Sequence, residues 1–97
     1  MAEENNKSKI VALITLQEGK IKQSYQLADE LIANSRKEAG IVTYKLFKST
    51  ENDNEVLFFE EYADQEAMQQ HSKSDHFNKF MEAVKPLLAG EPRLEMF

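Results

Sequence analysis

The chain has no cysteine, which excludes disulfides, thiolate nucleophiles and cysteine-bound zinc and leaves stability to packing. Long apolar runs are missing too. Nothing in the 97 residues approaches the roughly 20 apolar residues a membrane helix needs, and the opening MAEENNKSK lacks the apolar stretch of a secretory signal. Both absences fit a cytoplasmic protein. Positive charge is in deficit: 12 Lys and Arg against 17 Asp and Glu leave a net charge of -5. That balance offers no electrostatic reason to expect nucleic acid or an anionic membrane as partner. A chain this short forms one domain, and a small domain buries a low share of its surface unless a second copy adds to its core.

What is present reads in order as strands and helices. Residues 1 to 8 are polar and are expected to form a flexible tail, ahead of one folded domain over residues 9 to 97. Lys9 to Leu16 (KIVALITL) has the Ile, Val and Thr content of a strand buried on both faces. From Lys20 to Ala39, Ile21, Tyr25, Ala28, Leu31, Ile32 and Ser35 recur every three or four residues. This predicts an amphipathic helix, and Gly40 stands where a left-handed residue would end it. Ile41 to Lys48 and Glu55 to Tyr62 flank the polar loop STENDN and predict an antiparallel hairpin. Asp64 is placed to cap a helix over Gln65 to His71; Ser74 or Asp75 is placed to cap another carrying Phe77, Phe80, Met81 and Val84. Pro86, Gly90 and Pro92 lead into a last strand, Arg93 to Phe97.

The predicted fold is α+β: a ferredoxin-like β-α-β-β-α-β order, with four antiparallel strands carrying the helices on one face. The first and central strands are apolar on both faces, so the face without helices would expose a broad apolar surface. A two-fold homodimer, closing as a dimeric α/β barrel, is the expected remedy.

Candidate chemistry concentrates between Glu55 and Phe80. A strand ending in Glu60 and Tyr62 runs into helices carrying both histidines, His71 and His76, and this can bring three proton-handling groups around one cavity. On strand alternation Glu60 shares a face with Val56, Phe58 and Tyr62, where burial would raise its pKa. The alternative for Glu60 is a salt bridge to Lys45, Lys48 or Arg93 across the sheet or the dimer. The alternative for His71, among Gln69, Gln70 and Ser72, is a solvent-facing position; for His76 it is a hydrogen bond to a turn. The two histidines stand at i, i+5, off a shared helical face, and no carboxylate completes a triad with them, so no metal site is expected. Lys20 to Lys22 and Ser35 to Glu38 read as solvated helix faces.

Glu60-x-Tyr62-x-Asp64-x-Glu66-Ala67, then His71, then Ser74-Asp75-His76-Phe77, resembles the E-x-[WY]-x-D-x-E-A…H…S-x-H-F pattern of the antibiotic biosynthesis monooxygenase family. Gly40, Tyr44 and Val84 to Leu88 are similar to further family positions. The resemblance implies a dimeric barrel with a small pocket between sheet and helices, and oxidation of a small quinol or polycyclic phenol by molecular oxygen without a cofactor. In these terms His71 is the leading general base, assisted by Glu60 and His76. Tyr44 and Tyr62 orient the substrate, and Phe58 and Phe77 form an apolar wall. A heme-degrading branch of the family would call for a histidine near Met81 and an asparagine near Ala12, and this chain has neither; Met81 is expected in the core. Two rivals stand beside the oxygenase. One is an isomerase or processing enzyme for a small phosphorylated or hydroxylated metabolite, with Lys45 or Arg93 as its cation; the other is a non-catalytic role, binding a small aromatic ligand or protecting a partner.

Overall fold

The computed structural model describes residues 8–97. Its elements run β1 (Lys9–Thr15), α1 (Ile21–Ser35), β2 (Ile41–Lys48), β3 (Glu55–Tyr62), α2 (Gln65–Ser72), α3 (Asp75–Val84), a 3-10 turn (Lys85–Leu87) and β4 (Arg93–Met96). The strands form one antiparallel sheet in the order β2-β3-β1-β4. This is the ferredoxin-like arrangement that the element order predicts. The expected tail lies outside the described residues except for Ser8, whose carbonyl accepts a hydrogen bond from the Tyr62 amide at 2.9 Å.

Side-chain alternation decides what the sheet presents to the helices. Ala12, Ile14, Val56, Phe58, Glu60, Tyr62 and Tyr44 point to the helical side and are buried. Against them pack Ala28 and Leu31 of α1 and Phe80 and Val84 of α3. Phe58 meets the edge of Phe80 with ring centroids 5.7 Å apart, and Tyr44 lies 5.9 Å from Phe58 on its other side. The opposite sheet face carries Val11 and Leu13 of β1, Leu57 and Phe59 of β3, and Phe47 of β2, all half-buried or exposed. The expectation that β1 is buried on both faces therefore does not hold within one protomer: only its helical side is covered.

Two expected helix features change. The first helix stops at Ser35, four residues short of Ala39, and turns back with the Arg36 amide bonded to the Ile32 carbonyl. Gly40 does not adopt the left-handed conformation, since Gly19, at φ 82, is the one glycine with positive φ. A side chain at Gly40 would instead collide with the Cβ of Ala67 on α2. The position is small because a helix passes over it.

Both helix caps in the second half are as expected. The Asp64 carboxylate accepts from the Ala67 amide at 2.8 Å, and the Ser74 hydroxyl accepts from the Phe77 amide at 3.3 Å. Ser74 also donates to the His71 carbonyl at 2.7 Å, so one residue ends α2 and begins α3. Among the described residues no helix is long and apolar enough to cross a membrane.

Candidate active site

A cavity of about 440 Å³ opens between the helical face of the sheet and the α2-α3 pair. Its polar end is formed by Tyr44, Glu60, Tyr62 and His71. Its walls are apolar, from Ile10, Ala12 and Ile14 of β1 to Phe77 and Met81 of α3. Leu94 of β4, 65% exposed, stands at the open side.

His71 sits in the last turn of α2 and is 2% exposed, which overturns the solvent-facing alternative. Its Nε2 lies 3.2 Å from the Tyr44 hydroxyl, and its Nδ1 lies 2.8 Å from Oε2 of Glu38. A carboxylate only accepts, so Nδ1 carries the proton and Nε2 is left to accept from Tyr44. The ring is boxed in by Tyr44 and Phe77, each with centroids 5.1 Å away, and by Tyr62 at 5.8 Å. Burial lowers the pKa of His71 against the opposing pull of Glu38, and nearby His76 lowers it further.

Glu60, 7% exposed, accepts a hydrogen bond from the Tyr62 hydroxyl at 2.5 Å. Burial raises its pKa, although the hydrogen bond from the Tyr62 hydroxyl favours its charged form. Within one protomer the salt-bridge alternative does not hold: Lys48 pairs with Asp53 and Arg93 with Glu95, while Lys45 and Arg93 project from the other sheet face. Both tyrosines are pushed far above the ordinary phenol range, by burial first and then by the Glu60 carboxylate. They therefore serve as neutral hydrogen-bond donors.

Three placements correct the expectations. Phe58 does not line this cavity but packs beneath it between Tyr44 and Phe80. Met81 is not core: it is partly exposed on the cavity wall. His76 is not among the cavity residues; it lies behind His71, with its Nε2 2.6 Å from the same Glu38 oxygen. Phe77, Tyr44, Tyr62, Glu60 and His71 do meet at the cavity.

The reasons given against a metal site also need revision, because a carboxylate does join the histidines. Glu38, His71 and His76 bring one ligand-type atom each to within 4.8 Å of one another. The i, i+5 argument does not apply, since the histidines stand on different helices. The contacts are nevertheless those of hydrogen bonds. Zinc at its usual bond lengths would hold tetrahedral ligands about 3.3 Å apart, and both nitrogens sit closer than that to one oxygen. An ion there would also lie behind His71, away from the cavity.

Glu38 was hidden in a charge-rich segment that reads as solvated. Ser35 is instead fully buried, and Arg36, itself exposed, lays its guanidinium on the edge strand β2, its Nε and Nη2 donating to the Tyr44 carbonyl at 3.1 and 2.9 Å. That clamp ties the loop after α1 to β2 and carries Glu38 to the histidines. A signal for the pairing was present: Ser74, a helix-capping residue, stands between His71 and His76.

Comparison with known proteins bears on the family and the fold. The family model described as Antibiotic biosynthesis monooxygenase matches residues 8–83. A Bacillus subtilis protein named "Putative monooxygenase YcnE" is 33% identical over 65% of this chain and 66% of its own length. The uncharacterized protein sll1783 of Synechocystis is 30% identical over 73% of this chain and 48% of its own length. The match thus spans about half to two thirds of these curated relatives. The crystal structure of SO0527 from Shewanella oneidensis is 29% identical, with a TM-score of 0.85 over 95% of this chain and 91% of that one. By sequence pattern, fold and family match together, the chain belongs to the antibiotic biosynthesis monooxygenase family.

Proposed function

We propose that the protein is a cofactor-independent monooxygenase, acting in the cytoplasm on a small quinol or polycyclic phenol. The observation that carries this reading is the placement of His71: a buried, neutral imidazole whose free nitrogen faces a phenol at the polar end of an otherwise apolar cavity. Family membership and the monooxygenase name of a relative support the reaction class.

The cavity volume lies in the range of small-molecule sites. A flat aromatic ring would rest on Phe77, Ile14 and Met81 with its hydroxyl among Tyr44, Tyr62 and Glu60. His71 takes the phenol proton, directly or through the Tyr44 hydroxyl. The electron-rich anion gives an electron to oxygen, the radical pair joins to form a carbon-oxygen bond, and the resulting hydroperoxide loses water. One oxygen atom stays on the ring as a carbonyl, the other leaves as water, and the substrate supplies both electrons. The proton held on His71 returns to the departing oxygen, so the base is regenerated. Glu60 assists by holding Tyr62. His76 contributes from behind the ring.

The same proposal includes a homodimer joined through the uncovered sheet face. The phosphorylated-metabolite rival loses its main support, because no Lys or Arg is among the described residues lining the cavity. Oxygen uptake with a panel of hydroquinones tests the reading. Uptake above the uncatalysed rate is expected, falling about 10²- to 10⁴-fold in His71→Ala, the usual contribution of a general base. Binding of the aromatic without uptake would favour the non-catalytic rival instead.

A further inference from the structure

We propose that Glu38 is the positioning residue of this site: it holds His71 in the tautomer that turns a free nitrogen lone pair toward the cavity, and it balances the charge that forms there. The inference rests on His71 as the base and adds a residue that neither the family pattern nor the cavity lining singles out.

His71 has two ring nitrogens and no solvent access to speak of, so each needs a partner. Glu38 supplies one at Nδ1 and, being a carboxylate, forces a proton onto it. The lone pair is thereby placed on Nε2, the nitrogen within reach of Tyr44 and the cavity. With an amide or a water at Nδ1 the other tautomer would compete, and Nε2 would then carry a proton and could accept none. When Nε2 takes a proton, the imidazolium that forms is buried, and the Glu38 carboxylate is the anion hydrogen-bonded to it.

His76 donates to the same oxygen from the start of α3 and holds the carboxylate in line. Glu38 is itself well placed for this work, since its side chain keeps 21% exposure while that of His71 is buried. The groups that face His71 from every packed element are Glu38 from the loop after α1, Tyr44 from β2, Tyr62 and Glu60 from β3, and His76 from α3.

Long-range proton-nitrogen NMR of the imidazoles gives a readout that does not need turnover. Near neutral pH the wild-type protein is expected to show His71 protonated on Nδ1 and bare on Nε2, and Glu38→Ala to lose that preference. Glu38→Gln, which keeps an acceptor but drops the charge, is expected to titrate His71 at lower pH than wild type. In oxygen uptake both variants should lower kcat at least about 10- to 100-fold with little change in KM, the scale on which loss of a carboxylate that orients a metal-bound histidine is felt. A wild-type His71 protonated on Nε2, or an unchanged tautomer in Glu38→Ala, would overturn the proposal, as would an unchanged kcat. If no hydroquinone is turned over by wild type, the oxygenase reading fails, and the NMR result still decides the role of Glu38.

Discussion

The Tyr44 hydroxyl and the His71 Nε2, 27 residues apart in the chain, lie 3.2 Å from each other at the polar end of the cavity. A phenol from the sheet and an imidazole from the helical layer, both buried and both biased to stay neutral, form a donor-acceptor pair that a substrate hydroxyl can join. Tyr44→Phe removes the donor and keeps the ring packing on Phe58. It is expected to cost about 1 kcal/mol, the net worth of a typical internal hydrogen bond, and to reduce turnover less than His71→Ala does. Denaturant unfolding and initial rates on the two variants check the order.

The pH dependence of stability has two opposed contributions. The folded pKa of His71 lies below its ordinary 6.5, so between the two values the unfolded chain binds more protons. Stability is therefore lost as pH falls through that window. The folded pKa of Glu60 lies above its ordinary 4.5, so the folded chain binds more protons there, and stability is lost as pH rises from 4.5 through the folded value. Glu60→Gln keeps an oxygen for the Tyr62 hydroxyl and removes the buried charge. Its Tm should exceed that of wild type by more at pH 8 than at pH 4, as thermal melts in a pH series would show.

Gly40→Ala tests the close approach of α2 to the start of β2. The added methyl would meet Ala67 head-on, and overpacking of this kind costs about 1 to 3 kcal/mol. Because α2 carries His71, the same substitution should also raise the reduction in kcat beyond what stability alone explains. Thermal melts paired with oxygen uptake separate the two effects.

The uncovered sheet face pairs Val11 with Phe59 and Leu13 with Leu57, inside a rim that includes Lys9, Glu61, Arg93 and Glu95. If a second copy covers it, Phe59→Lys should convert the dimer to a monomer, with a loss of at least about 2 kcal/mol in association, the scale of a central interface residue. Light scattering after gel filtration reads the mass directly.

The strands were legible because their residues alternate between a packed and an open side, and the caps were legible because Asp64 and Ser74 do their work locally. Much of the cavity's polar end followed from the same alternation, which put Glu60 and Tyr62 on one face. Glu38 was not legible. Its role comes from where α1 ends and from the Arg36 clamp on Tyr44, which are tertiary facts. Gly40 misled for a related reason: after a helical pattern it looks like a helix stop, while the fold needs it small because of Ala67, 27 positions later. The histidine spacing misled because it was measured along one helix, although the capping serine between them divides the segment in two.

Whether His71 starts an oxygenation within the cavity is read most directly with labelled oxygen. Mass spectrometry of the product formed from a hydroquinone under ¹⁸O₂ should show one labelled atom added per molecule with wild type, and almost none with His71→Ala. A product without label, whether dehydrogenated or isomerised, would contradict the oxygenation.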